Sequence, residues 1–134
     1  CNKSWVLRLS NVYGVNDKRS VLYYLAQCKK NNTPFTIYTK PGMIRDYISA
    51  EFVARVIKDC IDEKVVSGTY NLGTGSGFDV TEVLKEICER NGIKYQFAPL
   101  PDGITNGYIP KENLLLDEKR DLVEEWGRLY REGQ

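Results

Sequence analysis

Two periods of hydrophobic spacing alternate along this chain. In "SWVLRLS" (4–10), Trp5, Val6, Leu7 and Leu9 form a short apolar run that predicts a mostly buried strand, and "NVYGVND" then predicts a turn. Over 18–31 the apolar positions Val21, Leu22, Leu25, Ala26 and Cys28 fall at helical intervals, and Asn31, Asn32 and Pro34 stop the helix. "PFTIYT" (34–39) predicts a short strand leading into a turn at Pro41 and Gly42. In "MIRDYISAEFVARVIKDCI" (43–61) an Arg-Asp pair joins an extended apolar and aromatic segment to a helix. Ser49 is its N-cap, Glu51 lies in the first turn, and Phe52, Val53, Val56, Ile57, Cys60 and Ile61 make its apolar stripe. "GTYNLG" (68–73) predicts a strand and "GTGSG" a glycine turn. Asp79 and Glu82 then resemble a capping box for a helix with Val83, Leu84, Ile87 and Cys88 inward and Gly92 at its end. "IKYQFAPL" (93–100) predicts a further strand, "PDGITNGYIPKEN" a loop, and Asp117 onward a last helix through Leu122, Val123 and Trp126. Strands alternating with helices predict an α/β fold with parallel pairing, and no internal repeat is visible.

Composition narrows this picture. A chain of 134 residues suits one domain, 1–134, able to bury a core without staples. With 19 basic against 18 acidic residues and no long block of one sign, bulk charge predicts neither a nucleic-acid nor a membrane partner. The apolar runs are far shorter than the roughly 20 residues that span a bilayer. Histidine is absent, which removes the commonest metal ligand and the commonest neutral-pH base, so metal catalysis and a serine-histidine triad are poor fits. Cys1, Cys28, Cys60 and Cys88 contain no C-x-x-C and mostly lie on the apolar sides of helices; they read as reduced core thiols of a cytoplasmic protein, with a disulfide as the alternative. The chain begins at Cys1 and enters a strand-like run at once, which reads as a piece of something longer.

"YNLGTGSGFDV" raises the question of phosphate. Gly73, Gly75 and Gly77 sit between a strand and a helix, where backbone amides and the helix dipole can hold an anion. The spacing is G-x-G-x-G, however, with Phe78 at the third fingerprint position, and no acidic residue for a ribose stands about 20 residues on, near Lys94 and Tyr95. A structural strand-to-helix turn is the stronger reading.

Taken in order, "RLSNVYG" (8–14), "FTIYTKPGMIRDYISAEFVARVI" (35–57) and "GTYNLGTGSGFDVTEV" (68–83) resemble successive blocks of the extended short-chain dehydrogenase/reductase family, most closely its NAD-dependent nucleotide-sugar epimerases and dehydratases. The resemblance implies isomerase or lyase chemistry in carbohydrate metabolism. In that family an N-terminal Rossmann half holds NAD on a G-x-x-G-x-x-G loop and a Tyr-x-x-x-Lys pair carries proton and hydride. Neither motif occurs in the family's place here, so the resemblance implies the C-terminal, substrate-binding portion alone, with a short parallel or mixed sheet and no catalytic residue. NAD is then expected in the full-length parent and not tightly on this chain. Strands 5–10 and 69–72 are expected to lack their Rossmann neighbours, to expose edges and to promote self-association.

Residue roles follow from the resemblance. Asn11 falls on an asparagine that hydrogen-bonds the nucleotide sugar near its phosphates, with a turn-capping asparagine as the alternative. Tyr13 and Gly14 match the turn near the nicotinamide, although Val15 replaces the usual proline. Tyr38 matches the edge segment whose backbone pairs with the base; a core tyrosine is the equal competitor, and the departure at Thr39, Lys40 and Pro41 leaves the base open. Arg45 matches the arginine that contacts the diphosphate, for which a planar, permanently charged fork of donors is well suited; a structural salt bridge is the alternative. Asp46 orients Arg45 or caps local backbone rather than meeting an anionic ligand. Lys111 is the basic residue in the loop where the family often has a second clamp. The rival reading is a non-enzymatic ligand-binding or RNA-binding module from the same superfamily, which the lack of a basic stripe disfavours.

Overall fold

The computed structural model describes residues 2–103, 107 and 109–130. In chain order the elements are β1 (Trp5–Leu9), β2 (Asn11–Tyr13), α1 (Val21–Asn31), β3 (Phe35–Ile37), β4 (Ile44–Arg45), β5 (Tyr47–Ser49), α2 (Ala50–Ile61), β6 (Gly68–Gly73), β7 (Phe78–Asp79), α3 (Val80–Asn91), β8 (Tyr95–Phe97), β9 (Leu114–Leu116) and α4 (Leu122–Tyr130). Helices α2 and α3 begin where the sequence puts their caps. The Ser49 hydroxyl accepts from the Phe52 amide at 3.1 Å, and Asp79 accepts from the Glu82 amide at 3.2 Å. At the other end of α3, Gly92 takes φ 67°, a left-handed conformation that glycine adopts without a Cβ penalty.

The chain forms two compact units, each assembled from separated stretches. The first comprises Cys1–Gly14, Asp46–Gly77 and Tyr108–Lys119. Its main sheet is parallel, in the order β1-β6-β9, with Trp5 opposite Gly68 and Asn71 opposite Leu114; β2 pairs in parallel with β5. The stripe on α2 buries Phe52, Val56 and Cys60 against Ile48 and Leu72, with Trp5, Leu7, Tyr70 and Leu115 packed around them. Fully burying a side chain such as Leu72 contributes about 2 kcal/mol. The expectation that strand 69–72 would expose an edge is corrected at Asn71 and Leu72: there β6 lies between β1 and β9, because "LLL" (114–116), to which the sequence pattern assigned no element, forms a strand. "NVY" is likewise β2 and not a turn.

The second unit comprises Val15–Arg45, Phe78–Gly107 and Arg120–Gln134. Two helix-turn-strand pairs repeat within it: α1 passes through left-handed Asn32 into β3, and α3 through left-handed Gly92 into β8, and the two strands pair in parallel, Phe35 opposite Tyr95. Each turn closes on a cysteine carbonyl, Cys28 accepting from Thr33 and Cys88 from Ile93. The side chains differ at most matching positions, which hides the repeat in the sequence. The last helix starts at Leu122 rather than near Asp117, because Asp121 accepts from the Val123 amide at 2.9 Å and so caps it there; it continues through Gly127 to Tyr130. Its Trp126 is fully buried and donates from Nε1 to the Leu22 carbonyl at 2.9 Å.

Candidate functional site

At the carboxyl end of β6 the chain leaves the parallel sheet through the turn Thr74–Gly77, which meets the buried carboxylate of Asp46, and a second buried carboxylate, Asp117, lies on the chain whose backbone bonds Gly73. Asp46, 2% exposed, accepts from the Thr74 amide at 2.8 Å, from the Gly75 amide at 3.2 Å and from the Thr74 hydroxyl. The same hydroxyl oxygen accepts from Ser76 and Gly77. Gly75 and Gly77 hold φ of 79° and 74°, which turns successive amides inward. Gly73 is equally constrained, since a Cβ there would stand 2.5 Å from Asp46 Oδ2. The turn is therefore structural, as its spacing indicated. Its amides at 74 and 75 already face a carboxylate, so it does not fit a dinucleotide's diphosphate, which Asp46 would repel.

The second carboxylate, Asp117, is also 2% exposed; its amide donates to the Gly73 carbonyl at 2.8 Å and its Oδ2 accepts from the Ser49 amide at 3.1 Å. Sequence reading missed this residue. The available signal was an acidic side chain directly after an apolar triplet, at the end of a strand.

The structure divides the residues singled out from the sequence. Asn11, Tyr13, Gly14 and Lys111 belong to the first unit, Tyr38 and Arg45 to the second. Asn11 is exposed on β2, opposite Tyr47, and its amide donates to the Asp46 carbonyl at 3.0 Å. Tyr13 is buried at 3% exposure, and Gly14 packs so closely that a Cβ would lie 3.1 Å from that of Ala50. Lys111 is exposed before β9. Tyr38 follows β3 and is 53% exposed, so it is not a core tyrosine.

Arg45 sits half-buried on β4, opposite Phe78 of the antiparallel strand β7. Its Nη1 donates to the Ile44 carbonyl at 3.1 Å, and the Gly107 amide donates to the same oxygen at 3.1 Å. A Cβ on Gly107 would come within 2.8 Å of Arg45 Cδ, so glycine leaves room for the arginine stem. Asp46 does cap backbone, its carboxylate being engaged by Thr74 and Gly75. Residues 104–106 and 108 of the loop that carries Lys111 lie outside the described residues.

Among the described residues, one groove of about 350 Å³ lies beside α2 and β9 in the first unit and another of about 540 Å³ at the ends of α1 and α3 in the second; Asn11, Tyr38, Arg45 and Lys111 line neither of these. Among the described residues there is no cluster of histidine, cysteine, aspartate or glutamate arranged for a metal, and no helix long and apolar enough to cross a membrane. Cys28, Cys60 and Cys88 are free and buried. Burial, with Cys28 nearby, pushes the Cys88 thiol up to about 11, which keeps it neutral and unreactive at physiological pH.

No family model matches the chain. Among solved structures it is similar to UDP-N-acetylglucosamine 4-epimerase from Bacillus cereus, with a TM-score of 0.70 and 22% identity over 95% of this chain and 48% of that one. It is similar to UDP-glucose 4-epimerase from Thermus thermophilus, solved with NAD, at a TM-score of 0.61 and 27% identity over 92% of this chain and 41% of that one. A third is dTDP-glucose 4,6-dehydratase from Bacillus anthracis, also solved with NAD, at a TM-score of 0.61 and 15% identity over 95% and 38%. The chain thus spans less than half the length of these proteins. Its neighbours are nucleotide-sugar epimerases and dehydratases of the extended short-chain dehydrogenase/reductase family, and it has the α/β fold of part of their chains.

Proposed function

We propose that residues 1–134 are the nucleotide-sugar-binding region of an NAD-dependent nucleotide-sugar epimerase or dehydratase. The observation that carries this reading is the likeness to a UDP-glucose 4-epimerase over 92% of the chain at 27% identity. In the whole protein a hydride would pass between the sugar and NAD, while this region holds the diphosphate so that the sugar can react. Arg45 is proposed as a diphosphate contact, Asn11 and Lys111 as further polar contacts, and Tyr38 as a neighbour of the base. Tyr13 and Gly14 are proposed to shape the turn beside the nicotinamide. By itself the chain binds nucleotide sugar weakly, turns over nothing, resides in the cytoplasm, and self-associates through the edge of β1.

Calorimetric titration with UDP-glucose and, separately, with single-stranded RNA tests this. UDP-glucose is expected to bind, and Arg45→Ala to weaken it about tenfold or more, since charge-assisted bonds to phosphate are the strong ones. RNA binding without UDP-glucose binding would instead establish the binding-module alternative. Robust turnover of UDP-glucose with added NAD would refute the claim of inactivity, and a clean monomer in sedimentation at high concentration would refute self-association.

A further inference from the structure

The first two amides of the glycine turn after β6, those of Thr74 and Gly75, converge as they would on a phosphate, while those of Ser76 and Gly77 hold the Thr74 hydroxyl in place; the carboxylate they surround comes from the chain itself. Two backbone amides and one hydroxyl meet the Asp46 carboxylate, which is 2% exposed. A charge that deep is retained only where donors replace its water. Left-handed Gly75 and Gly77 give the turn the shape of an anion-binding nest. Through its own carbonyl, Asp46 also fixes the amide of Asn11 at 3.0 Å, and Tyr47, its neighbour in sequence, stands opposite Asn11 in the β2–β5 pair.

We propose that Gly73–Gly77 is an anion nest whose resident anion is the Asp46 carboxylate, and that through it Asp46 acts as a positioning residue for Asn11. The second half rests on the nucleotide-sugar reading; the first does not. Removing the carboxylate by truncation vacates a space lined by the same donors, shaped for a small carboxylate such as formate. The wild-type nest is full and gives formate nothing to occupy.

The experiment measures thermal midpoints of the wild type, Asp46→Ala and Asp46→Asn in sodium formate and in sodium chloride of equal ionic strength. Asp46→Ala is expected to lose about 10 °C, because donors are left unpaired in the interior. Formate is expected to return several degrees to Asp46→Ala and none to the wild type or to Asp46→Asn, whose amide fills the space. An unchanged midpoint in Asp46→Ala, or an equal response to formate in all proteins, overturns the nest. If Asp46→Ala does not fold, amide exchange decides: Thr74 and Gly75 are expected to exchange faster in Asp46→Asn than in the wild type, and equal rates overturn the proposal.

UDP titration judges the second half. Asp46→Ala is expected to bind UDP about tenfold more weakly, with formate restoring the affinity, whereas Asn11→Ala weakens binding and formate does not help. Restored stability without restored affinity overturns the positioning role and leaves the nest. A wild type that does not bind UDP overturns the functional reading and the positioning role together, and the thermal arm still decides the nest.

Discussion

The two units of this chain are held by different means. The second is an apolar core in which Phe35, Leu25, Ile37, Ile87 and Trp126 are almost wholly enclosed, with Thr81 the buried polar residue among those described. The first buries fewer large apolar side chains and instead encloses Asp46, Ser49, Thr74 and Asp117 around the carboxyl end of its parallel sheet. Apolar packing is non-directional and tolerates rearrangement, while a buried hydrogen-bonded carboxylate fixes particular amides in particular places. The difference teaches where geometry matters most: polar burial is concentrated beside Asn11 at the start of β2 and at the glycine turn after β6.

The largest expected effect tests the apolar side. Trp126→Ala removes a fully buried ring and its bond to the Leu22 carbonyl, and urea denaturation is expected to show a loss of about 4 kcal/mol. A loss below 1 kcal/mol would mean that the second unit does not depend on this packing. Next comes an alkaline sensitivity built into the same unit. The Cys88 thiol titrates near 11 in the fold against an ordinary 9.0, so folding favours the neutral form. Its contribution is complete below pH 9 and is lost as pH rises from about 9 to about 11, a loss on the order of 3 kcal/mol. Tyr130, also raised by burial, acts in the same direction. Urea melts at pH 8 and pH 10.5 read this slope, which Cys88→Ala should make shallower.

Two smaller effects test the polar side. Thr74→Val keeps the shape but removes the hydroxyl shared by Asp46, Ser76 and Gly77, and is expected to cost about 1.5 kcal/mol by denaturation. Ser49→Ala removes the cap of α2 and is expected to cost about 1 kcal/mol, seen also as faster exchange of the Phe52 amide. Neutral outcomes for both would erase the contrast between the units.

How much of this was legible in the chain depended on how local the determinant was. Ser49, Asp79 and Gly92 announce helix ends because each acts within one turn of itself, and the structure places α2 and α3 where they say. The strands β4, β5, β7 and β9 are two or three residues long and exist only through partners elsewhere, so periodicity had nothing to work on. Asp46 was legible as a residue that caps backbone, but the amides it caps lie at 74 and 75, beyond any local pattern. Asp117 was read as the start of a helix, and its bond to the Ser49 amide lay beyond any local pattern for the same reason. Arg45 came into view through its neighbouring sequence, whereas the glycine at 107 that accommodates its stem did not.

Interleaving of the two units has a consequence for synthesis. A ribosome delivers the chain from one end, yet the sheet of the first unit closes only when Leu114–Leu116 joins β6, and the core of the second waits for Trp126. Strands joined across such separations raise contact order and slow folding. The strands and helices from β1 to α3 are therefore made before either core can be sealed, and until then the apolar face of α2 and the edge of β6 that β9 covers are open to chaperones and to one another's copies.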